Sequence, residues 1–534
     1  METTPKRTTG WAVIETLRNY GIDTVFGIPG THNLELYRPL TPLGIRPVTT
    51  RHEQGAGYAA DGWSLQTGKP GVVLTTSGPG LLNALSAAGT AYCESRPMIL
   101  LAPGPSRGSE FADAGTLHET KDQFGAASAI VERAHRVQSA QEAVDAVHGA
   151  FELFRAGRPR PVYIEIPLDL LEEETALAGE VLAARSAEPT PGPDANAISE
   201  AAKLLDAAAD PVILAGGGSR HASAELQAVA ERLGAPVVTT LNAKGVLDEH
   251  HPLSLGSNLR LAAARNRARD ADVLLVVGSK LGDAELWVDR LGARGRVIRI
   301  DVLESQLDKN QTADVGIVAD ARVALAALAD ALGSGEPGTN HRAEETRAAV
   351  RSEVAELSHD NARLADHLAA VLPENAIVAT DSSQIAYWGL LNTLRVTAPN
   401  STPYMSTYAT LGYGLPAGLG ARIAAPNRPT FVVTGDGALM FSIQELMTIV
   451  EQHLDVTVIV IDNGGYAEIK QNEADVGIAP VAVDLAQPDW AAVATAFGGT
   501  GRRAVSGHEL ADAIDAAVAG GGLQLIHIDQ SNFR

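Results

Sequence analysis

Residues 430–466 read TFVVTGDGALMFSIQELMTIVEQHLDVTVIVIDNGGY. An apolar run closes on Gly435-Asp436-Gly437, residues 442–451 have helical character, and a second apolar run (456–461) closes on Asp462-Asn463, with Asn463 standing 26 residues after Gly437. Short apolar runs bounded by turn residues are the mark of parallel strands buried on both faces, so the stretch reads as a strand–helix–strand unit. Both strand ends of such a unit lie at one edge of the sheet, where open α/β folds bind ligands. Asp436 and Asn463 are therefore expected to meet at one ion. A carboxylate oxygen, an amide oxygen and a nearby backbone carbonyl are hard ligands suited to Mg²⁺ or Ca²⁺, and Mg²⁺ is commonly held by few protein ligands plus phosphate oxygens. The flanking glycines would let a diphosphate approach the backbone. Alone, Gly-Asp-Gly also reads as a tight turn. The asparagine at this distance, between two strands, favours the ion.

Outward from this stretch the same pattern repeats. Apolar runs at 71–75 and 98–102, at 212–215, 273–277 and 297–300, and again at 430–434 and 456–461 alternate with helical stretches such as 199–208. The fold class is α/β, with three doubly wound domains and mainly parallel sheets. Two stretches break the pattern: AARSAEPTPGPDAN (183–196), where three prolines and a glycine stop any helix, and GSGEPGTN (333–340). They divide the 534 residues into domains at 1–183, 197–332 and 345–534.

The 64 acidic and 42 basic residues give a formal charge of −22, a repulsive surface that excludes nucleic acid and anionic membranes as partners. No apolar run approaches the roughly 20 residues that span a bilayer, and METTPKRTTG carries no apolar segment of a secretory signal, so the expected compartment is the cytoplasm. The single cysteine, Cys93, cannot form an internal disulfide and reads as packing.

The first segment adds a second half to the site. Gly27-Ile28-Pro29-Gly30 lies upstream of Thr50-Arg51-His52-Glu53-Gln54-Gly55-Ala56, which opens a Gly/Ala-rich helix, and TTSGPGLLN runs from Thr75 to Asn83. An Arg-His-Glu run alone is a weak signal, since most such charges are solvated or cap a helix. Together these segments resemble the thiamine diphosphate-dependent 2-oxo acid decarboxylase and acetolactate synthase superfamily. There GDG is followed some two dozen residues later by NN, the glutamate segment matches residues 50–56, and TSGPGATN matches residues 76–83. The departure is Asp462 in place of the first asparagine, which matters little if Asn463 is the ligand and Asp462 caps the strand.

The resemblance implies thiamine diphosphate and Mg²⁺ as cofactors, with Asp436, Asn463 and the carbonyl of Gly465 on the metal. It implies that Glu53 holds a proton at the pyrimidine N1′ of the cofactor, a role that asks for an apolar setting. Pro29, Thr76 and Asn83 would line the same end. YATLGYGLP (408–416) matches the segment that bends the cofactor, with Leu411 as the supporting side chain and the Ala409 carbonyl receiving the 4′-amino group; a core leucine is the alternative for Leu411. Asp381-Ser382-Ser383-Gln384, with Trp388 beyond, matches DVGQHQMW, so Ser382, Ser383 and Gln384 would meet the diphosphate with the amides of Gly437, Ala438 and Tyr466. Glu53 and Asp436 fall in different domains, which in the family implies active sites at the subunit interface of a homodimer or homotetramer.

Three stretches resemble the 5-guanidino-2-oxopentanoate (2-ketoarginine) decarboxylase branch: VFGIPGTHNLELYR from Val25, LHETKDQ from Leu117, and GYAEIK with GIAPVAVDLAQPDW from Gly465 onward. The implied reaction is loss of CO₂ from a 2-oxo acid to give an aldehyde; the alternative is condensation with a second 2-oxo acid, as acetolactate synthases do. Glu468 either pairs with a guanidinium or favours a helix N-terminus. His118 either moves the proton that completes the aldehyde or orients a loop. Gly216-Gly217-Gly218 is a lone glycine cluster and a weak dinucleotide signal. Where synthases carry an Arg-Phe-Asp type segment for FAD, this chain has Ser279-Lys280-Leu281-Gly282-Asp283, so FAD is not expected.

Overall fold

The computed structural model describes residues 7–187, 192–333 and 341–533. Most of the second proposed linker, and 188–191 of the first, lie outside the described residues. The chain divides into two compact units, one made of Met1–Glu188, Leu415–Pro426 and Ser442–Leu454, the other of Pro189–Gly414, Asn427–Phe441 and Asp455–Arg534.

The first unit holds one six-stranded sheet. Its strands are β1 (Thr24–Gly27), β2 (Arg46–Thr49), β3 (Gly71–Leu74), β4 (Met98–Gly104), β5 (Arg133–Arg136) and β6 (Val162–Pro167), in the order β2-β1-β3-β4-β6-β5. The second unit holds two five-stranded sheets. One comprises β7 (Pro211–Ala215), β8 (Val237–Thr239), β9 (Val273–Val277), β10 (Arg296–Asp301) and β11 (Val315–Val318), in the order β11-β10-β9-β7-β8. The other comprises β12 (Ile377–Thr380), β13 (Thr430–Gly435), β14 (Val456–Asp462), β15 (Thr500–Ala504) and β16 (Leu523–Asp529), in the order β12-β13-β14-β16-β15.

Neighbouring strands run parallel in all three sheets, the architecture expected from the apolar runs. The central strands are buried along their whole length, β4, β6, β9 and β13 among them, which is why β4 and β9 carry no polar alternation. No helix among the described residues is long and apolar enough to cross a membrane.

In the first unit, the helix that starts at Glu53 (Glu53–Thr67) meets the helix Gly414–Ala424 backbone to backbone. A Cβ on Gly62 would stand 2.0 Å from the Ala417 carbonyl oxygen, and one on Gly420 would stand 1.8 Å from that of Ala59. Two glycines thus permit a crossing that no larger residue allows, and the crossing fixes where the Glu53 helix lies. Gly62→Ala and Gly420→Ala are each expected to force the helices apart and cost roughly 1–3 kcal/mol, the usual penalty of overpacking. Urea unfolding of each variant measures this; unchanged midpoints would mean that the crossing yields freely.

Candidate active site

Register sets the donor group of the second unit. β13 and β14 pair so that Gly435 lies opposite Ile461, and the next residues of each strand, Asp436 and Asp462-Asn463, leave the sheet at the same edge. Asp436 begins a short helical turn (Asp436–Leu439) and is buried. Burial, reinforced by the neighbouring charge of Asp462, pushes its pKa up to about 6 against the pull of the Gly437, Asn463 and Gly465 amides. Its Oδ2 is buried without a hydrogen-bond partner. One atom of the Asn463 side-chain amide lies 3.2 Å from both Asp436 Oδ1 and the Gly465 carbonyl oxygen. With nitrogen at that position the amide donates to both; with oxygen there, three oxygens converge as a divalent cation requires. The sequence-derived donor set is therefore assembled, with an unmet carboxylate oxygen beside it, and it fits a hard cation.

The cradle around it is tight. A Cβ on Gly437 would come 3.0 Å from the Tyr466 ring and 3.3 Å from the Gly465 carbonyl, and one on Gly435 3.2 Å from Ser383 Cβ. Ser383, Gly437 and Tyr466, all expected at a diphosphate, are thus neighbours around the strand ends, with Ser382 and Ala438 adjoining them in sequence. Asp462 turns away from the Asp436–Asn463–Gly465 group: it accepts the Gly464 amide at 3.1 Å and meets His527 Nε2 at 3.1 Å.

Asp381 acts on the segment that carries Ala409 and Leu411. It is buried, and its carboxylate accepts the amides of Ser382 at 3.0 Å, Gly412 at 3.0 Å and Gly414 at 2.9 Å. Burial outweighs these donors and raises its pKa to about 6. Ala409 sits in the left-handed region at φ 51°, a strained conformation for alanine, and is exposed, while Leu411 is half-buried rather than sunk in the core.

Glu468 lies in the first turn of the helix Ala467–Asp475. Its Oε2 accepts from Gln384 Nε2 at 3.0 Å and from the Trp388 indole at 3.3 Å. The Tyr387 hydroxyl also bonds to Glu468, and burial with that negative charge raises the tyrosine pKa. Gln384, read from sequence as a diphosphate contact, thus has its amide nitrogen on Glu468.

The first unit carries a cluster of its own. Glu53 is buried, and its Oε2 accepts from Asn83 Nδ2 at 3.0 Å. Burial and the charge of Glu53 raise the pKa of Tyr37. A Cβ on Gly80 would come 3.2 Å from Glu53 Oε1 and 2.8 Å from Thr76 Cγ2; one on Gly30, next to the exposed Pro29, would come 3.1 Å from Thr76. Glu53, Asn83, Thr76 and the Pro29-Gly30 turn therefore form one cluster. The segment leading into Glu53 is held by Glu445, whose buried carboxylate accepts the amides of Arg51 and His52, each at 3.1 Å, and the Thr448 hydroxyl at 2.7 Å. His118 stands at φ 61° beside Thr76, and His32, which the sequence reading did not single out, stands beside it. Its only sequence signal was its place in VFGIPGTHN.

Asp381→Asn would set an amide N–H against a backbone N–H. Losing one such buried acceptor is expected to cost roughly 1–3 kcal/mol in urea unfolding, and limited proteolysis is expected to find the 409–414 turn opened. Wild-type stability in the variant would mean that the turn holds without the carboxylate.

The chain matches three family descriptions in order: the thiamine pyrophosphate enzyme N-terminal TPP binding domain over residues 7–126, the central domain over 198–328, and the C-terminal TPP binding domain over 381–528. It is 38% identical over 98% of its length, and 94% of the relative's, to the probable 2-ketoarginine decarboxylase AruI of Pseudomonas aeruginosa. It is 31% identical to acetolactate synthase isozyme 1 large subunit of Escherichia coli, over 88% of this chain and 84% of that one. It is 32% identical to the acetolactate synthase of Arthrospira platensis, over 87% and 84% respectively. With the residue clusters of both units drawn from the segments these descriptions cover, the chain belongs to the thiamine pyrophosphate enzyme family.

Proposed function

We propose that this protein is a thiamine diphosphate-dependent decarboxylase that converts a 2-oxo acid to an aldehyde and CO₂, with 5-guanidino-2-oxopentanoate as its substrate. The observation that carries the cofactor assignment is the meeting of Asp436, Asn463 and the Gly465 carbonyl beside an unmet buried carboxylate oxygen. Mg²⁺ would sit there, and Ser382, Ser383 and the amides of Gly437, Ala438 and Tyr466 would face the diphosphate. When bound, thiamine diphosphate supplies the electron sink for the carbon–carbon bond that breaks. Glu53, held by Asn83, would hold a proton at the pyrimidine N1′; Leu411 would pack against the cofactor, and Ala409 would offer its carbonyl to the 4′-amino group. Pro29 and Thr76 close the same end.

On this reading residues 1–183, 197–332 and 345–534 are the pyrimidine-binding, middle and diphosphate-binding domains; the three family matches fall inside these bounds. A cytoplasmic homodimer, or a tetramer of such dimers, completes each site with Glu53 from a second copy. Exposed apolar side chains beside the site segments support this: Leu34, Leu82 and Leu117 in the first unit, Tyr408, Met440 and Phe441 in the second. The enzyme would need no FAD, since residues 279–283 lack the flavin segment.

Glu468 supports the guanidino substrate. Three neutral donors orient its carboxylate without cancelling its charge, so a cation remains its natural partner. The relative's name points to the same substrate. An acetolactate synthase-like carboligase is the second reading, favoured by the synthases at 31–32% identity. Product analysis separates the two: one aldehyde per CO₂ against an acetohydroxy acid.

Glu53→Gln is expected to leave cofactor binding nearly intact while slowing hydrogen–deuterium exchange at C2 of the bound cofactor by orders of magnitude; unchanged exchange would reject the role. Asp436→Ala is expected to abolish Mg²⁺-dependent cofactor binding in titration calorimetry, and tight, chelator-resistant binding would reject the metal site. Glu468→Gln is expected to raise KM for 5-guanidino-2-oxopentanoate far more than for a neutral 2-oxo acid of equal length, by the roughly 2–5 kcal/mol typical of breaking one buried charge-assisted pair. A wild-type preference for pyruvate or branched 2-oxo acids would sink the substrate assignment and leave the thiamine chemistry standing.

A further inference from the structure

Three aromatic rings of the second unit stand against one another beside Glu468. The centroids of Trp287 and Trp388 are 4.7 Å apart with their planes at 80°; Tyr387 lies 6.2 Å from the first at 67° and 6.0 Å from the second at 64°. Glu468 is bonded to two of the three, through the Trp388 indole N–H at 3.3 Å and the Tyr387 hydroxyl. The rings are not sunk in a core. Trp287 is 41% exposed, and Tyr387 and Trp388 are half-buried, so aromatic surface stays open to solvent next to a carboxylate.

Irregular backbone presents them. Trp287 ends the short helix Asp283–Leu286 in the left-handed region at φ 54°, a strained place for a non-glycine residue, and Tyr387 and Trp388 lie in the π-helical turn Ala386–Leu390. Packing an apolar core asks for neither. The group also already holds one guanidinium. Arg260 is buried, with its guanidinium carbon 5.1 Å from the Trp287 centroid and its Nη2 donating to the Asn392 side-chain oxygen at 3.2 Å, while its Nε has no hydrogen-bond partner. A ring face and a neutral amide thus serve this cation directly. The carboxylate whose charge acts on Arg260 is Glu285, so the charge of Glu468, met by neutral donors, is left for another cation.

Resting on the decarboxylase reading, we propose that Trp287, Tyr387 and Trp388 form an aromatic cage against Glu468 that holds the guanidinium of the substrate and disfavours an ammonium in its place. A guanidinium is flat and weakly hydrated: it gives up water at low cost, stacks on a ring and keeps in-plane N–H groups for the carboxylate. An ammonium is compact and strongly hydrated, and its three donors meet ring faces and a single carboxylate. Gln384 and Trp388 both use Oε2 of Glu468, which leaves Oε1 the less engaged oxygen for the ligand's N–H. The carboxylate attracts any cation; the rings choose between cations.

Nitrogen-15 indole NMR of the full-length protein without cofactor separates these roles. Butylguanidinium is expected to shift the indole signals of Trp287 and Trp388 and to spare those of Trp11, Trp63 and Trp490, which are buried. Butylammonium is expected to bind more weakly, by the roughly 2- to 30-fold that a cation–π contact is worth. Trp287→Leu is expected to remove that preference and Trp287→Phe to keep most of it, whereas Glu468→Gln is expected to weaken both cations alike. Unshifted Trp287 and Trp388 signals, equal affinity of the wild type for the two cations, or a preference that survives in Trp287→Leu overturns the cage and leaves the decarboxylase reading intact. A wild-type enzyme that binds butylguanidinium at these rings yet releases no aldehyde from 5-guanidino-2-oxopentanoate overturns that reading, and the task of the cage with it.

Discussion

A carboxylate at the end of a buried parallel strand, with one oxygen that nothing in the protein reaches, is the constraint around which the second unit is arranged. Asp436 cannot retreat: it follows directly on β13, whose register against β14 is fixed by two buried, largely apolar runs. Apart from the Asn463 amide, the space beside it is left by glycine, because Gly437 has the Tyr466 ring and the Gly465 carbonyl where a Cβ would go. Burial alone would favour the protonated acid. A cation at that oxygen reverses the preference, so ligand binding and the local stability of this edge are linked, with binding energy offsetting the cost of burying the charge.

Two further buried carboxylates solve the same problem differently. Asp381 and Glu445 take their partners from the backbone, the first from amides 412 and 414, the second from amides 51 and 52. A carboxylate meeting several N–H donors makes strong, directional bonds, and each of these ties down a segment that carries site residues. Both fix backbone, which side chains such as Leu411 and Glu53 then inherit as position.

This difference decides what could be read from the chain. Strands buried on both faces announce themselves as apolar runs, and the interval from Asp436 to Asn463 is the length of a helix and a strand, so the sheets and the metal-type donor set were legible. Glu445 was not, since within residues 442–451 it looks like any solvated glutamate, and its partners lie 394 and 393 residues away. His32 was hidden for the same reason: only the folded loops bring it to Ser77 and His118. Gln384 was read by its neighbours in sequence as a diphosphate contact; the bond from its amide nitrogen to Glu468, 84 residues on, was not legible.

That bond bears on the two readings of Glu468. A glutamate in the first turn of a helix gains from the dipole wherever its side chain points. Here the side chain points back to Gln384, Tyr387 and Trp388, away from its own helix, and two of those donors share a single oxygen, Oε2. Neutral donors of this kind lower the cost of keeping the carboxylate ionised and hold its plane, but they leave its net charge in place. A dipole needs no such orientation, whereas bidentate pairing with a planar guanidinium does, because both N–H vectors must meet a carboxylate of fixed attitude. The donors around Glu468 are thus an expense that helix capping does not explain and that recognition of a planar cation would.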